Sequence, residues 1–240
     1  MKQTEIITGC SSFYNRKWTG VFYPDDLSTK NWFAYYCEHF DTYELNATFY
    51  KFPTVNSLHA WYKKSPDGFI FSVKAPRLIT HNKKFDDCTR EISELYAACL
   101  DGMKDKFGYV LFQLPPSFHY SPERLQRIVN QLDSDIQNVV EFRHESWWNK
   151  DVYDAFIDNK LIFCSVNHPT LPTAIIETAA TGYIRLHGNP NMFYSEYSLE
   201  ALNTLYTAIK QTAILDKAMV YFNNTAGTGG IINALAMKNL

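Results

Sequence analysis

The sequence predicts an α/β fold, a single (β/α)8 barrel of the TIM type covering residues 1–240. Three observations carry that expectation. Eight short, apolar, β-rich runs recur along the chain, and helical spacing fills most of the gaps between them. No repeat, charge run or Gly/Ser-rich linker divides the whole.

The runs are IIT (6–8), TYEL (42–45), IFSV (70–73), YVLF (109–112), VVEF (139–142), IFCS (162–165), YIRL (183–186) and MVYF (219–222). Runs of this length bounded by turn signals suit strands covered on both faces. Between them, Ile92, Leu95, Tyr96, Cys99 and Met103 fall at i, i+3, i+4, i+7 and i+11. Leu125, Ile128, Val129 and Leu132 repeat the pattern after Ser121-Pro122-Glu123, an N-cap with proline at the first helical position. Leu199, Leu202, Leu205, Tyr206 and Ile209 mark a helix after Ser198, and weaker patterns cover 29–40, 55–65, 150–159 and 230–240. The segment 166–181, VNHPTLPTAIIETAAT, carries two prolines, so the barrel is expected to be irregular between strands six and seven. An open doubly wound sheet would call for a glycine-rich turn after the first strand, and TGCSSF has a single glycine.

Composition narrows the function classes. A net charge of −2 and a pI near 6.4 exclude the overall basic footprint of a non-specific DNA binder. Cys10, Cys37, Cys88, Cys99 and Cys164 form no C-x-x-C pair, which argues against a zinc site or a disulfide framework. MKQTEIITGCSSF lacks the apolar run of a signal peptide, and no stretch is apolar enough to span a bilayer; a cytoplasmic setting without membrane contact is expected. Seventeen Phe, 16 Tyr and 5 Trp serve a large core more readily than a ring-lined cleft.

In such a barrel the active site occupies the face where the strands end. Those ends are polar: Ser11; Glu44 and Asn46; Lys74; Gln113; Glu141 and Arg143; Asn167 and His168; Arg185 and His187; Asn223 and Asn224. Glu44 and Asn46 stand two apart, as do Glu141 and Arg143, and Arg185 and His187, so each pair shares one side of its strand. Facing the axis, six polar groups meet, and Glu44 faces Lys74 of the next strand. Mutual neutralisation of buried ion pairs is the alternative. The expected catalytic residues are the acid–base pair Glu44 and Glu141, with Lys74 stabilising charge and His187 shuttling protons. Asn46, Arg143, Arg185, Gln113 and Asn223 are expected to bind substrate, with Tyr14, Trp18 and Trp147 as aromatic walls. Thr228, Gly229 and Gly230, in NNTAGTGG (223–230) ahead of the last helix, could cradle phosphate; a tight turn explains the same glycines.

The loop KAPRLITHNKK (74–84) adds Arg77, His81, Lys83 and Lys84 and favours a small anionic ligand, either a nucleotide or a sugar phosphate. Glu44, Glu141 and His187 could form an oxygen/nitrogen metal site, but no metal-ligand spacing supports it and Lys74 and Arg143 oppose it; no metal or cofactor is expected. Ser11 lacks a G-x-S-x-G elbow and Cys10 an assigned base.

The motifs GCSSFYNRKWTGVFYP (9–24), ELNATFYKFP (44–53), FSVKAPRLITH (71–81), FQLPPSF (112–118), EFRHESWW (141–148), YIRLHG (183–188) and YFNNT (221–225) together resemble the YecE-like family, domain of unknown function 72. The resemblance implies a (β/α)8 barrel and no established activity. The family more often has an acidic residue where Thr225 stands, and an aspartate where Asn167 stands. The sequence therefore points to an acid–base enzyme, hydrolase- or lyase-like, on a phosphate- or sugar-containing small molecule or nucleic-acid component. The alternative is a non-catalytic module binding nucleic acid or another anionic partner through the 74–84 loop.

Overall fold

The computed structural model describes residues 4–240 and closes eight parallel strands into a barrel in sequence order. The strands are β1 (Glu5–Cys10), β2 (Thr42–Leu45), β3 (Ile70–Lys74), β4 (Phe107–Gln113), β5 (Asn138–Glu141), β6 (Ile162–Asn167), β7 (Thr181–Leu186) and β8 (Lys217–Phe222). Closure is made by β8 on β1, from Glu5 opposite Lys217 to Cys10 opposite Phe222. Each of the eight apolar runs became a strand. At Gly9 the neighbouring strand comes so close that a Cβ would sit 2.6 Å from the Thr42 carbonyl oxygen.

The helices are α1 (Trp32–His39), α2 (Ala47–Tyr50), α3 (Val55–Lys64), α4 (Thr89–Met103), α5 (Pro122–Val129), α6 (Lys150–Asp158), α7 (Leu199–Lys210) and α8 (Gly229–Lys238). Their starts follow the capping residues. Ser121 accepts from the Arg124 N–H, Ser198 from the Ala201 N–H, and Thr54 and Ser57 form a reciprocal capping box. Among the described residues no helix joins β6 to β7. The irregular segment instead pins its backbone to the strand through side chains. Ile176 N–H donates to Ser165 Oγ, and Thr178 Oγ1 accepts from Phe163 N–H and donates to the Leu161 carbonyl. No helix among the described residues is long and apolar enough to cross a membrane.

Two apolar layers hold the barrel. Phe71, Val73, Phe112, Val140, Ile184 and Val220 face outward onto the helices, while Tyr109, Leu111, Val139, Cys164, Tyr183 and Met219 fill the interior. Going up the axis the interior becomes polar. Tyr221 OH meets Thr42 Oγ1 at 2.5 Å and Ser72 Oγ at 2.8 Å, and one residue pair further along the strands lie the charges. The barrel is thus sealed below and charged above.

Candidate active site

Alternation along β7 points Tyr183, Arg185 and His187 inward, and that row organises the mouth. Arg185 grips Glu44 with two parallel hydrogen bonds, Nε to Oε2 at 2.9 Å and Nη2 to Oε1 at 2.6 Å. Its remaining arm, Nη1, donates to Glu141 Oε2 at 2.5 Å. One guanidinium thus joins two carboxylates from β2 and β5, all three groups at most 1% exposed. Tyr183 OH adds a bond to Glu44 Oε2 at 2.8 Å, and Arg143 Nε donates to Glu141 Oε1. Burial alone would raise the Glu141 carboxyl, but Arg143 and Arg185, with His187, hold it well below the ordinary carboxylate range.

His187 is fixed by a second chain. Ser11 Oγ donates to Asn223 Oδ1 at 2.5 Å, and Asn223 Nδ2 donates to His187 Nδ1 at 2.8 Å. The ring proton therefore sits on Nε2, which lies 3.1 Å from Glu141 Oε1. With this tautomer Nε2–H serves the carboxylate, and Arg143 Nη2, 3.2 Å from Nε2, stands beside it as a second donor. Burial, then Arg143, push the His187 pKa down to about 3 against the pull of Glu141. The contact with Glu141 is a hydrogen bond from a neutral imidazole to a carboxylate, not an ion pair. Imidazole 15N NMR will show His187 unprotonated at Nδ1 and without a titration step between pH 5 and 8; a step in that window would mean the ring charges against Glu141.

Lys74, at the end of β3, is the one charged group here without a counterpart. Its Nζ makes no hydrogen bond or ion pair among the described residues and lies 4.5 Å from the centre of the Phe49 ring. Burial, together with Arg185 and Arg143, lowers its pKa to about 8, despite Glu141 and Glu44. It opens into a cavity of about 430 Å³ that also exposes Asn46, Gln113, Arg143 and Asn223, under a rim of Phe49, Tyr50, Pro116, Met192 and Phe193. Asn46 donates to the Ser11 carbonyl at 2.8 Å, while its buried Oδ1 has no donor.

Several expected positions fall elsewhere. Glu44 turns to Arg185, Tyr183 and Asn46 and makes no hydrogen bond to Lys74. Trp18 and Trp147 are core residues. The Trp18 indole N–H donates to the Gly227 carbonyl at 2.8 Å, tying the first loop to the last. Trp147 stacks on Phe142 at 4.0 Å and donates to the Phe118 carbonyl at 2.7 Å. Tyr14 is exposed against Trp32 and does not line the cavity. Thr228, Gly229 and Gly230 do not form an open cradle. The Gly230 N–H donates to the Asn224 carbonyl, and a Cβ on Gly229 would meet Glu196 at 3.1 Å. Those glycines serve close packing. In the 74–84 loop, Lys83 turns inward to Glu91 at 2.8 Å, and burial and Lys74 lower the His81 pKa to about 4. Asn167 Oδ1 accepts from Tyr197 OH outside the cavity, and Thr225 offers its carbonyl to Asn15.

Phe49, Tyr183, Met192 and Phe193 also shape the site, and no sequence pattern marks them for it. Phe49 reaches Lys74 because the single turn α2 interrupts the exit from β2. Phe193 adopts a φ of +71° at the tip of the β7 loop, where its N–H donates to the His187 carbonyl at 2.5 Å.

The model of a family described as protein of unknown function DUF72 matches residues 7–240. This chain belongs to the DUF72 family. It is 29% identical over 139 residues to the UPF0759 protein YunF of Bacillus subtilis (strain 168), a match covering 55% of this chain and 49% of that one. To the UPF0759 protein YecE of Escherichia coli (strain K12) it is 26% identical over 147 residues, covering 60% and 53%. The matches thus span about half the length of these curated relatives. Among solved structures, a DUF72 protein from Thermotoga maritima MSB8 superposes with a TM-score of 0.82 at 27% identity, covering 98% of both chains. A DUF72 protein from Enterococcus faecalis V583 gives 0.82 at 20% identity, covering 98% of this chain and 94% of that one; at that identity the likeness concerns the fold. The resemblance seen in the motifs is therefore a family relationship, and it extends over the whole barrel.

Proposed function

We propose that this DUF72 chain is an enzyme using acid–base chemistry on a small phosphate- or sugar-containing anion held at the C-terminal end of the barrel. The observation that carries it is the charge balance of the mouth. Three cations, Lys74, Arg143 and Arg185, face two carboxylates, and His187 is neutral. The carboxylates are taken by the two guanidinium groups, which leaves Lys74, beside Arg143 on the cavity lining, as the cation without a carboxylate partner. A half-buried cation without a partner is costly, and an anionic ligand removes that cost. Within this reading Lys74 is the group that titrates near neutrality, and Glu141, held far below neutrality, serves as a fixed counter-charge. Asn46, whose Nδ2 donates to the Ser11 carbonyl and to Glu44 Oε1, lines the same cavity. The 74–84 loop offers less to a nucleic acid, since Lys83 is spent on Glu91.

Sulfate is a suitable probe because its charge is constant across the pH range of interest. It will raise the thermal midpoint of the wild-type protein beyond chloride at equal ionic strength. Lys74→Met will weaken sulfate binding about tenfold or more, the effect of losing one charge-assisted hydrogen bond. The ammonium is the binding form, so the wild-type response will be full below about pH 8 and fade as pH rises through the Lys74 pKa. Equal stabilisation of the wild type and Lys74→Met would exclude the mouth as the anion site.

A further inference from the structure

Of the side chains that line the cavity, Lys74 alone combines a nucleophilic atom with partial burial and, among the described residues, with freedom from hydrogen bonds. The other nucleophiles near the barrel top are occupied or sealed. Ser11 Oγ is bound to Asn223, the Cys10 thiol is buried with its pKa pushed far up by burial, and Cys164 lies in the interior layer. Tyr50 stands at the rim, 78% exposed. The backbone of Lys74 is anchored, with its carbonyl accepting from Thr48 Oγ1 at 2.6 Å and the Ala75 N–H donating to Leu111. An anchored backbone therefore presents the amine to a space large enough for a few carbon atoms, which Arg143 also lines.

We propose that Lys74 forms an imine with the carbonyl carbon of a small anionic aldehyde or ketone, whose carboxylate or phosphate is received by Arg143. The proposal rests on the reading of the mouth as an anion-binding catalytic site and names the substrate class it takes. The neutral amine adds to the carbonyl carbon, forming the C–N bond, and the C=O π electrons move to oxygen, which takes the proton that nitrogen releases. The carbinolamine then loses its hydroxyl together with the second nitrogen proton as water, leaving C=N. No oxidant or reductant is consumed. Protonated, the imine draws electrons from the adjacent carbon, the chemistry of C–H or C–C cleavage next to a carbonyl. Lys74 meets the two recognised conditions for an activated amine, desolvation and neighbouring cations, and burial with Arg185 and Arg143 brings its pKa to about 8. Roughly a tenth of it is free base at pH 7, against well under a thousandth for an exposed lysine.

Glyoxylate with cyanoborohydride tests this directly, because reduction converts the imine into a stable carboxymethyl-lysine. Intact mass will rise by one such group at early times, and peptide mapping will place it on Lys74. Labelling there will run on the order of a hundredfold faster than at exposed Lys64 at pH 7. Glyoxylate will also be preferred over uncharged acetaldehyde at least tenfold more at Lys74 than at Lys64, a preference that Arg143→Gln will abolish. Lys74→Arg keeps the cation, and will bind sulfate yet lose the fast label. Lys74 labelled no faster than Lys64, in protein that binds sulfate, would overturn the imine and leave the anion site standing. Failure of both wild type and Lys74→Arg to bind sulfate would remove the anion site itself, and this proposal with it.

Discussion

Arg185→Met will destabilise the protein by about 3–5 kcal/mol at pH 7, read as a lower urea midpoint at unchanged slope. Methionine fills much of the same space, so the loss comes chiefly from charge. Glu44 would keep only Tyr183 and Asn46 as partners, and Glu141 only Arg143 and His187. Two buried carboxylates would then share one close guanidinium. The loss will shrink on acidification, because carboxyls buried without Arg185 take up a proton more readily, and a neutral carboxyl costs less to bury. Wild-type Glu141 behaves oppositely. Its folded pKa lies well below the ordinary 4.5, so its contribution is present above that value and is lost as pH falls through the folded one. The two stability curves will therefore converge below about pH 5. Divergence on acidification would mean that Arg185 is not the counter-charge of the pair.

How far the sequence could anticipate this site follows from which distances the chain controls. Strand and helix positions depend on local periodicity, and the runs at 42–45 and 162–165 became β2 and β6 at their expected starts. The inward set was legible for the same reason, since alternation puts Glu44 with Asn46 and Arg185 with His187. Which inward groups touch is a different matter, because it depends on the stagger of the closed barrel. Lys74 is the nearest cation to Glu44 along the sheet order, yet Glu44 meets Arg185, which reaches across the interior from β7. Residue type alone misleads wherever one side chain serves two purposes. Trp18 and Trp147 have the chemistry of a cleft wall, and their indole N–H groups instead find carbonyls inside the core. Gly229 and Gly230 have the pattern of an anion loop, and they are small because Glu196 and Asn224 pack against them. Phe49 belongs to no periodic pattern at all; a single helical turn swings it over Lys74.

Glu141→Gln separates a glutamate that moves protons from one that balances charge. Glutamine keeps the shape and one acceptor oxygen, so His187 Nε2–H and one arginine retain a partner, while the negative charge is gone. Stability will fall by about 3 kcal/mol, since Arg143 then loses its carboxylate partner and Arg185 keeps Glu44. Anion binding will change in the opposite sense. The mouth gains a further unbalanced positive charge, and sulfate will bind Glu141→Gln about tenfold more tightly than wild type, stabilising the variant by a larger increment at equal concentration. The same substitution removes a charge that raises the Lys74 pKa, so the free-amine fraction at pH 7 will increase and cyanoborohydride-trapped labelling will accelerate. A Glu141 that already carries its proton at pH 7 predicts neither effect, because glutamine then removes no charge. Titrating wild type and Glu141→Gln with sulfate at pH 7 decides between them. Unchanged or weaker affinity in the variant would mean that Glu141 holds a proton at pH 7, as a general acid does, and tighter affinity would show it ionised, a counter-charge that leaves proton donation to Lys74.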